Sequence, residues 1–92
     1  GEMKRAALAG ILAREPEVIL MDEPLSNLDR KSSMMLIDIL SSLKQTMVIA
    51  THREIIAREC ATHIAFMREG RVTGTYDARK ALSLKEAEEV LF

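Results

Sequence analysis

Aromatic side chains are nearly missing from this 92-residue chain, which has two phenylalanines, one tyrosine and no tryptophan. Any core must therefore be aliphatic, helped by six methionines whose unbranched thioethers fill irregular gaps. A single cysteine, Cys60, excludes an internal disulfide, and the composition reads as cytosolic. Neither sign of charge dominates: 13 basic against 14 acidic residues give a net charge of −1. The clustered positive field needed for sequence-independent nucleic-acid binding is missing, so no nucleic acid is expected as a partner. No apolar run approaches the roughly 20 residues of a membrane-spanning helix. The first residues are charged and carry no apolar signal segment. Any work at a membrane would need partner chains there.

What is present fits one small domain at most. A chain of this length buries about 60–65% of the surface its unfolded form exposes, which leaves little margin of stability. Gly1-Glu2 runs straight into a helical pattern without an initiator methionine, which reads as a piece of a longer protein or a cloning remnant.

Met3, Ala6, Ala7, Leu8, Ile11 and Leu12 give residues 2–14 a wide apolar helical face, ended by Glu15-Pro16. Val18-Ile19-Leu20-Met21 is apolar without alternation, the pattern of a strand covered on both faces in a parallel sheet. Pro24 stops it. Asp29 is placed to cap a helix over about residues 30–43, with Leu36, Ile37, Ile39, Leu40 and Leu43 on one face and Lys44 near its end. Residues 46–51 repeat the buried-strand pattern. Thr51 and Glu54 form a capping-box pair for a helix over about 53–60. Residues 63–68 and 71–75 flank Glu69-Gly70 as a two-residue hairpin. Tyr76-Asp77 opens a helical turn through Leu82, and Ser83 is placed to cap a last helix containing Leu84, Ala87, Glu88, Val90 and Leu91. The expected class is α/β: two parallel core strands joined through a helix, plus a β-hairpin, with flanking helices.

The chemistry concentrates at Asp22-Glu23. Two adjacent carboxylates end a buried strand, and ligands of open α/β sheets bind outside such strand ends. Successive side chains point different ways, so the pair can divide its work. One carboxylate suits Mg²⁺, directly or through water, and the other can orient or deprotonate a water molecule. Taken alone, the pair equally reads as a strand ending in solvent.

Asp22-Glu23-Pro24, then Ser26-Asn27-Leu28-Asp29, then Thr51-His52 at 30 residues from Asp22, closely resembles the ABC ATPase family over residues 1 to about 75. Val18 to Glu23 resembles its Walker B segment, Ser26 to Asp29 its D-loop and His52 its switch histidine. Gly1-Glu2 resembles the tail of the LSGGQ-type signature, with Glu2 where glutamine is common. The resemblance implies a partial P-loop NTPase-like sheet, with residues 1–15 as signature helix, 16–75 as Walker B, D-loop, switch and hairpin, and 76–92 as a C-terminal helical segment. It implies ATP and Mg²⁺ as cofactors. Asp22 would support Mg²⁺ through water, Glu23 would be the general base, and His52 would hold the γ-phosphate and the attacking water. Gly1 and Glu2 would face the γ-phosphate of a partner subunit, where a helix start also offers free N–H groups to an anion. Ser26, Asn27 and Asp29 would line the interface with that second ATPase subunit. Transmembrane permease subunits would hold the assembly at the cytoplasmic face of a membrane.

Two positions depart from the common pattern: Leu25 stands where threonine is frequent, and Asn27 where a small residue is. No G-x-x-x-x-G-K-[ST] loop occurs in these residues, so the phosphate cradle and its lysine are not here. The chain alone is expected not to hydrolyse ATP. Residues 7–13 with 15–18 resemble the ATPases of energy-coupling-factor importers, including the cobalt and nickel type, whereas residues 22–29 are equally at home in sugar or polyamine importers. Two other classes compete: the C-terminal half of a chromosome-maintenance or DNA-repair ATPase head, and a non-catalytic interaction piece that associates with itself. Cys60, His63 and His52 lack the paired spacing of a metal site.

Overall fold

A computed structural model describes residues 2–88, with side chains described as far as Leu84. The order is α1 (Glu2–Leu12), β1 (Val18–Asp22), α2 (Arg30–Ser42), β2 (Thr46–Ala50), α3 (Glu54–Glu59), β3 (His63–Arg68), β4 (Arg71–Asp77) and α4 (Ala78–Glu88). The α/β expectation holds. The chain divides into two compact units, Gly1–Thr51 and His52–Phe92.

In the first unit, β1 and β2 pair in parallel, in register from Val18 opposite Thr46 to Asp22 opposite Ala50. The Thr46 amide donates to Glu17 O (3.2 Å) and the Glu23 amide to Ala50 O (2.7 Å), so the ladder continues one step past each strand end. The connection runs through α2, which starts where Asp29 Oδ1 accepts from the Ser32 amide at 2.7 Å. Ser33, Leu36, Ile37 and Leu40 fall on one face at helical spacing and are buried. Leu8, Ile19, Pro24 and Leu25 complete the buried set among the described residues of this unit.

The expectation that both strands are covered on both faces is corrected. Ile19 is buried and Met21, Met47 and Ile49 are half-buried, but Val18, Leu20 and Val48 on the other face are exposed by 53, 74 and 58%. An apolar run shows that a strand can be covered twice; these residues supply only one cover.

Two helix ends also differ. Lys44 lies beyond α2, which ends at Ser42 with an extended Leu43 as its C-cap, so no basic residue stands in the last turn. Thr51 does not cap α3. The N-cap is Arg53, which makes no side-chain cap bond, and the Thr51 hydroxyl donates to Glu23 Oε2 (3.1 Å).

In the second unit, β3 and β4 form the expected hairpin. Glu69 (φ 51°) and Gly70 (φ 77°) both take the left-handed backbone that a tight two-residue turn requires. β4 runs on through Asp77, where a helical turn was expected. One continuous helix then follows: Asp77 Oδ1 accepts from the Lys80 amide at 2.8 Å, so Asp77 rather than Ser83 caps it, and Ser83 lies inside α4. Helix α4 packs on the hairpin and on α3, burying Ile56, Ala57, Phe66 and Ala81. Val90 and Leu91 lie outside the described residues. No helix among the described residues is long and apolar enough to cross a membrane.

The Asp29 cap has a pH signature. The Ser32 amide, then the Ser32 hydroxyl, holds its carboxyl below the usual carboxylate value. A lowered folded-state value means the cap stabilises α2 above the unfolded value of about 3.9 and stops doing so as pH falls through the folded value. We expect Asp29→Ala to lower the melting temperature at pH 7, with the gap to the parent chain closing in strong acid. Asn at this position keeps the acceptor and should melt near the parent at pH 7. Thermal melts of the three chains at a series of pH values check this.

Candidate functional site

The strand end that carries Asp22 and Glu23 is built by the β1–β2 pairing. Asp22 closes β1 and is exposed. Glu23 is half-buried and leaves the strand with a left-handed backbone, φ 46°. A non-glycine residue there costs about 1–2 kcal/mol, and such backbone persists only where its surroundings over-determine it. They do so here. The Glu23 amide is tied to Ala50 O across the sheet, and its carboxylate accepts from Thr51 Oγ1. Its carbonyl accepts from the Ser26 amide (3.1 Å) and faces Lys4 Nζ at 3.5 Å. Backbone and carboxylate are thus each held before any ligand arrives.

The loop beyond is anchored from inside. Leu25 is fully buried, so its side chain acts as a plug. Burying a leucine is worth about 1.5–3 kcal/mol, enough to offset the strain at Glu23. Asn27 takes a second left-handed backbone, φ 62°, which asparagine tolerates better than most residues. The Leu28 amide then bonds Leu25 O at 3.2 Å. Both departures from the family pattern, Leu25 and Asn27, therefore have local physical reasons.

Of the expected site residues, Asp22, Glu23, Ser26, Asn27 and Asp29 come together on this strand end and its loop. Ser26, Asn27 and Asp29 are exposed, and the Asp29 carboxylate is engaged as the α2 cap. Glu2 is exposed at the start of α1; Gly1 lies outside the described residues. His52 is exposed and opens the second unit, next in sequence to Thr51. Sequence reasoning missed three residues. Thr51 reads as a cap and Leu25 as a variant loop position, and nothing in the local pattern singles out Lys4. Lys4 Nζ instead donates to Pro24 O and Ser26 Oγ, both at 3.0 Å. These links join positions about 20–30 apart in sequence, a separation at which periodicity carries no signal.

Cys60 is not an activated thiol: burial, and after it the Glu59 charge, pushes it above its ordinary value. Among the described residues no three His, Cys, Asp or Glu side chains cluster as a metal cage.

An ABC transporter ATP-binding protein of Gloeobacter violaceus is 47% identical over 72 residues, covering 78% of this chain and 30% of that protein. Most of this chain matches a segment of ABC transporter ATP-binding proteins. The energy-coupling factor transporter ATP-binding protein EcfA2 of Methanospirillum hungatei is 40% identical over 89 residues, 94% of this chain and 22% of that protein. ATP-binding proteins of amino-acid transport match about as well, at 39 and 40%. The chain thus spans under a third of the length of the curated ABC proteins it matches. No protein-family model matches the chain. Among solved structures, a chain from work on ATP-driven dimerization and DNA-stimulated activation of SMC ATPases aligns at TM-score 0.60, covering 97% of this chain and 60% of that one. At 23% identity this likeness shows the fold alone.

Proposed function

We propose that these residues form the catalytic edge of an ABC transporter ATPase domain whose phosphate-binding loop lies in other residues. The observation that carries the reading is the strand end itself: Asp22 exposed, and Glu23 fixed through its amide, carbonyl and carboxylate. The adjacent carboxylates are hard oxygen donors and suit Mg²⁺. Asp22 supports the ion through water. Glu23 accepts a proton from the attacking water, and Thr51 limits the rotation of its carboxylate. His52 contributes a hydrogen bond to the γ-phosphate. Gly1 and Glu2 meet the nucleotide of a second ATPase subunit, while Ser26, Asn27 and Asp29 line that contact. Permease subunits in the membrane receive the work, with the ATPase at the cytoplasmic face. In this division residues 1–15 are the signature helix, 16–75 the catalytic and hairpin segment, and 76–92 the C-terminal helical segment.

Transport is favoured over chromosome maintenance because the sequence relatives at 39–47% identity are transport subunits. The likeness to the SMC-type chain is one of fold. Comparable identity to energy-coupling-factor and amino-acid transport proteins supports no narrower substrate class.

The test is phosphate release from ATP by the 92-residue chain and by a longer protein that carries these residues together with a phosphate-binding loop. The chain alone should stay at the blank. The longer protein should turn over ATP, and Asp22→Asn should remove the Mg²⁺ dependence of its nucleotide binding. Turnover by the chain alone, or unaltered Mg²⁺ dependence in that variant, counts against the reading.

A further inference from the structure

Lys4 stands in the first turn of α1, and its ammonium reaches the loop that follows Glu23. Nζ lies 3.0 Å from Pro24 O, 3.0 Å from Ser26 Oγ and 3.5 Å from Glu23 O. An ammonium has three N–H donors and no acceptor, so the three oxygens match its capacity. Bonds from an ionised donor are also stronger than those between neutral groups. The segment it grips contains the two left-handed residues Glu23 and Asn27. Such backbone needs outside support, and Lys4 supplies the charged part of it, beside the buried Leu25.

We propose that Lys4 is a positioning residue for Glu23. Its ammonium fixes the carbonyls of Glu23 and Pro24, and with them the peptide planes that set where the Glu23 carboxylate leaves the chain. Thr51 then holds the carboxylate from the other end. A shift of α1 would pull on this loop through Lys4, so the placement of the helix start and that of the carboxylate are linked. The inference rests on the ATPase reading above, because positioning matters only if Glu23 activates water.

The experiment uses the longer ATP-hydrolysing protein carrying these residues, with Lys4→Met, Ser26→Ala and Glu23→Gln measured in parallel. Misplacing a catalytic group by about 1 Å costs on the order of 100-fold in rate. Lys4→Met should therefore lower kcat about 10- to 100-fold while KM for ATP stays within about twofold, the pattern of an interaction lost in the transition state alone. Ser26→Ala, an exposed change that removes one of three acceptors, should give a smaller loss of the same kind. Without nucleotide, hydrogen exchange of the Ser26 and Leu28 amides should speed up in Lys4→Met, while exchange in β1 and α2 stays as before. That last comparison separates loop release from misfolding. Undiminished kcat in Lys4→Met, or a kcat loss with unchanged loop exchange, overturns the proposal. Undiminished turnover in Glu23→Gln instead takes the water-activating role away from Glu23, and the nucleotide-free exchange result still judges the Lys4 contact.

Discussion

Glu23→Gln, made in a longer protein that carries these residues and hydrolyses ATP, should lower phosphate release about 100- to 10 000-fold, the range a positioned general base contributes. Nucleotide binding should remain within about twofold. The substitution changes one atom group and little shape. Glutamine keeps a side-chain oxygen that can accept from Thr51, whose hydroxyl lies 3.1 Å from the native carboxylate. It keeps the backbone bonds of residue 23 to Ala50 and Ser26. Asp22, the carboxylate assigned to Mg²⁺, is untouched. Only the capacity to take a proton is lost. Phosphate release and titration with a fluorescent ATP analogue separate rate from affinity. Turnover equal to that of the parent would remove Glu23 from catalysis; a matching loss of affinity would make it a binding residue instead.

The strands, the capping Asp29 and the hairpin were legible because each is a local pattern. Apolar runs, a proline stop, a cap residue and a Glu-Gly turn all act within a few residues of one another. The two acidic residues were legible as a candidate site for the same reason: they end such a run. What escaped is decided by competition over distance. Thr51 has two available partners, the amides of a helix start nearby, from which it could accept, and a carboxylate 28 residues away, to which it can donate, and the folded sheet engages it with the second. Asp77 and Ser83 both suit a helix start; the hairpin pairing carries β4 through Asp77, so Asp77 becomes the cap and Ser83 falls inside the helix. Leu25 reads as a loop variant until its burial is seen. Burial on two faces cannot be read from an apolar run, since the second cover comes from elements that need not adjoin in sequence.

That uncovered face carries the second large expectation: the 92-residue chain should associate with another copy of itself through β1 and β2. Leu20 lies opposite Val48 in the parallel register, and Val18 stands two residues before Leu20 on the same face. All three are more than half exposed. Parallel pairs are found with both faces covered, because their strands are apolar throughout. Two copies meeting on this face would shield six such side chains, each worth about 1.5–3 kcal/mol at full burial. Association itself costs about 4–15 kcal/mol, so the contact is weak and belongs to high concentration. Light scattering after size exclusion should show a mass above 10.3 kDa that falls on dilution. Leu20→Lys with Val48→Lys should return the monomer and reduce binding of an exposed-hydrophobe dye. Both positions are open enough to accept lysine without refolding the strand pair. Met67 and Val72 are also exposed, at 66 and 59%, but sit on the hairpin. The matching double lysine change there tests whether any apolar patch suffices. If it dissolves the assembly as effectively, generic stickiness is the cause and the β1–β2 face has no special part. A concentration-independent monomer in the parent chain would end the idea outright.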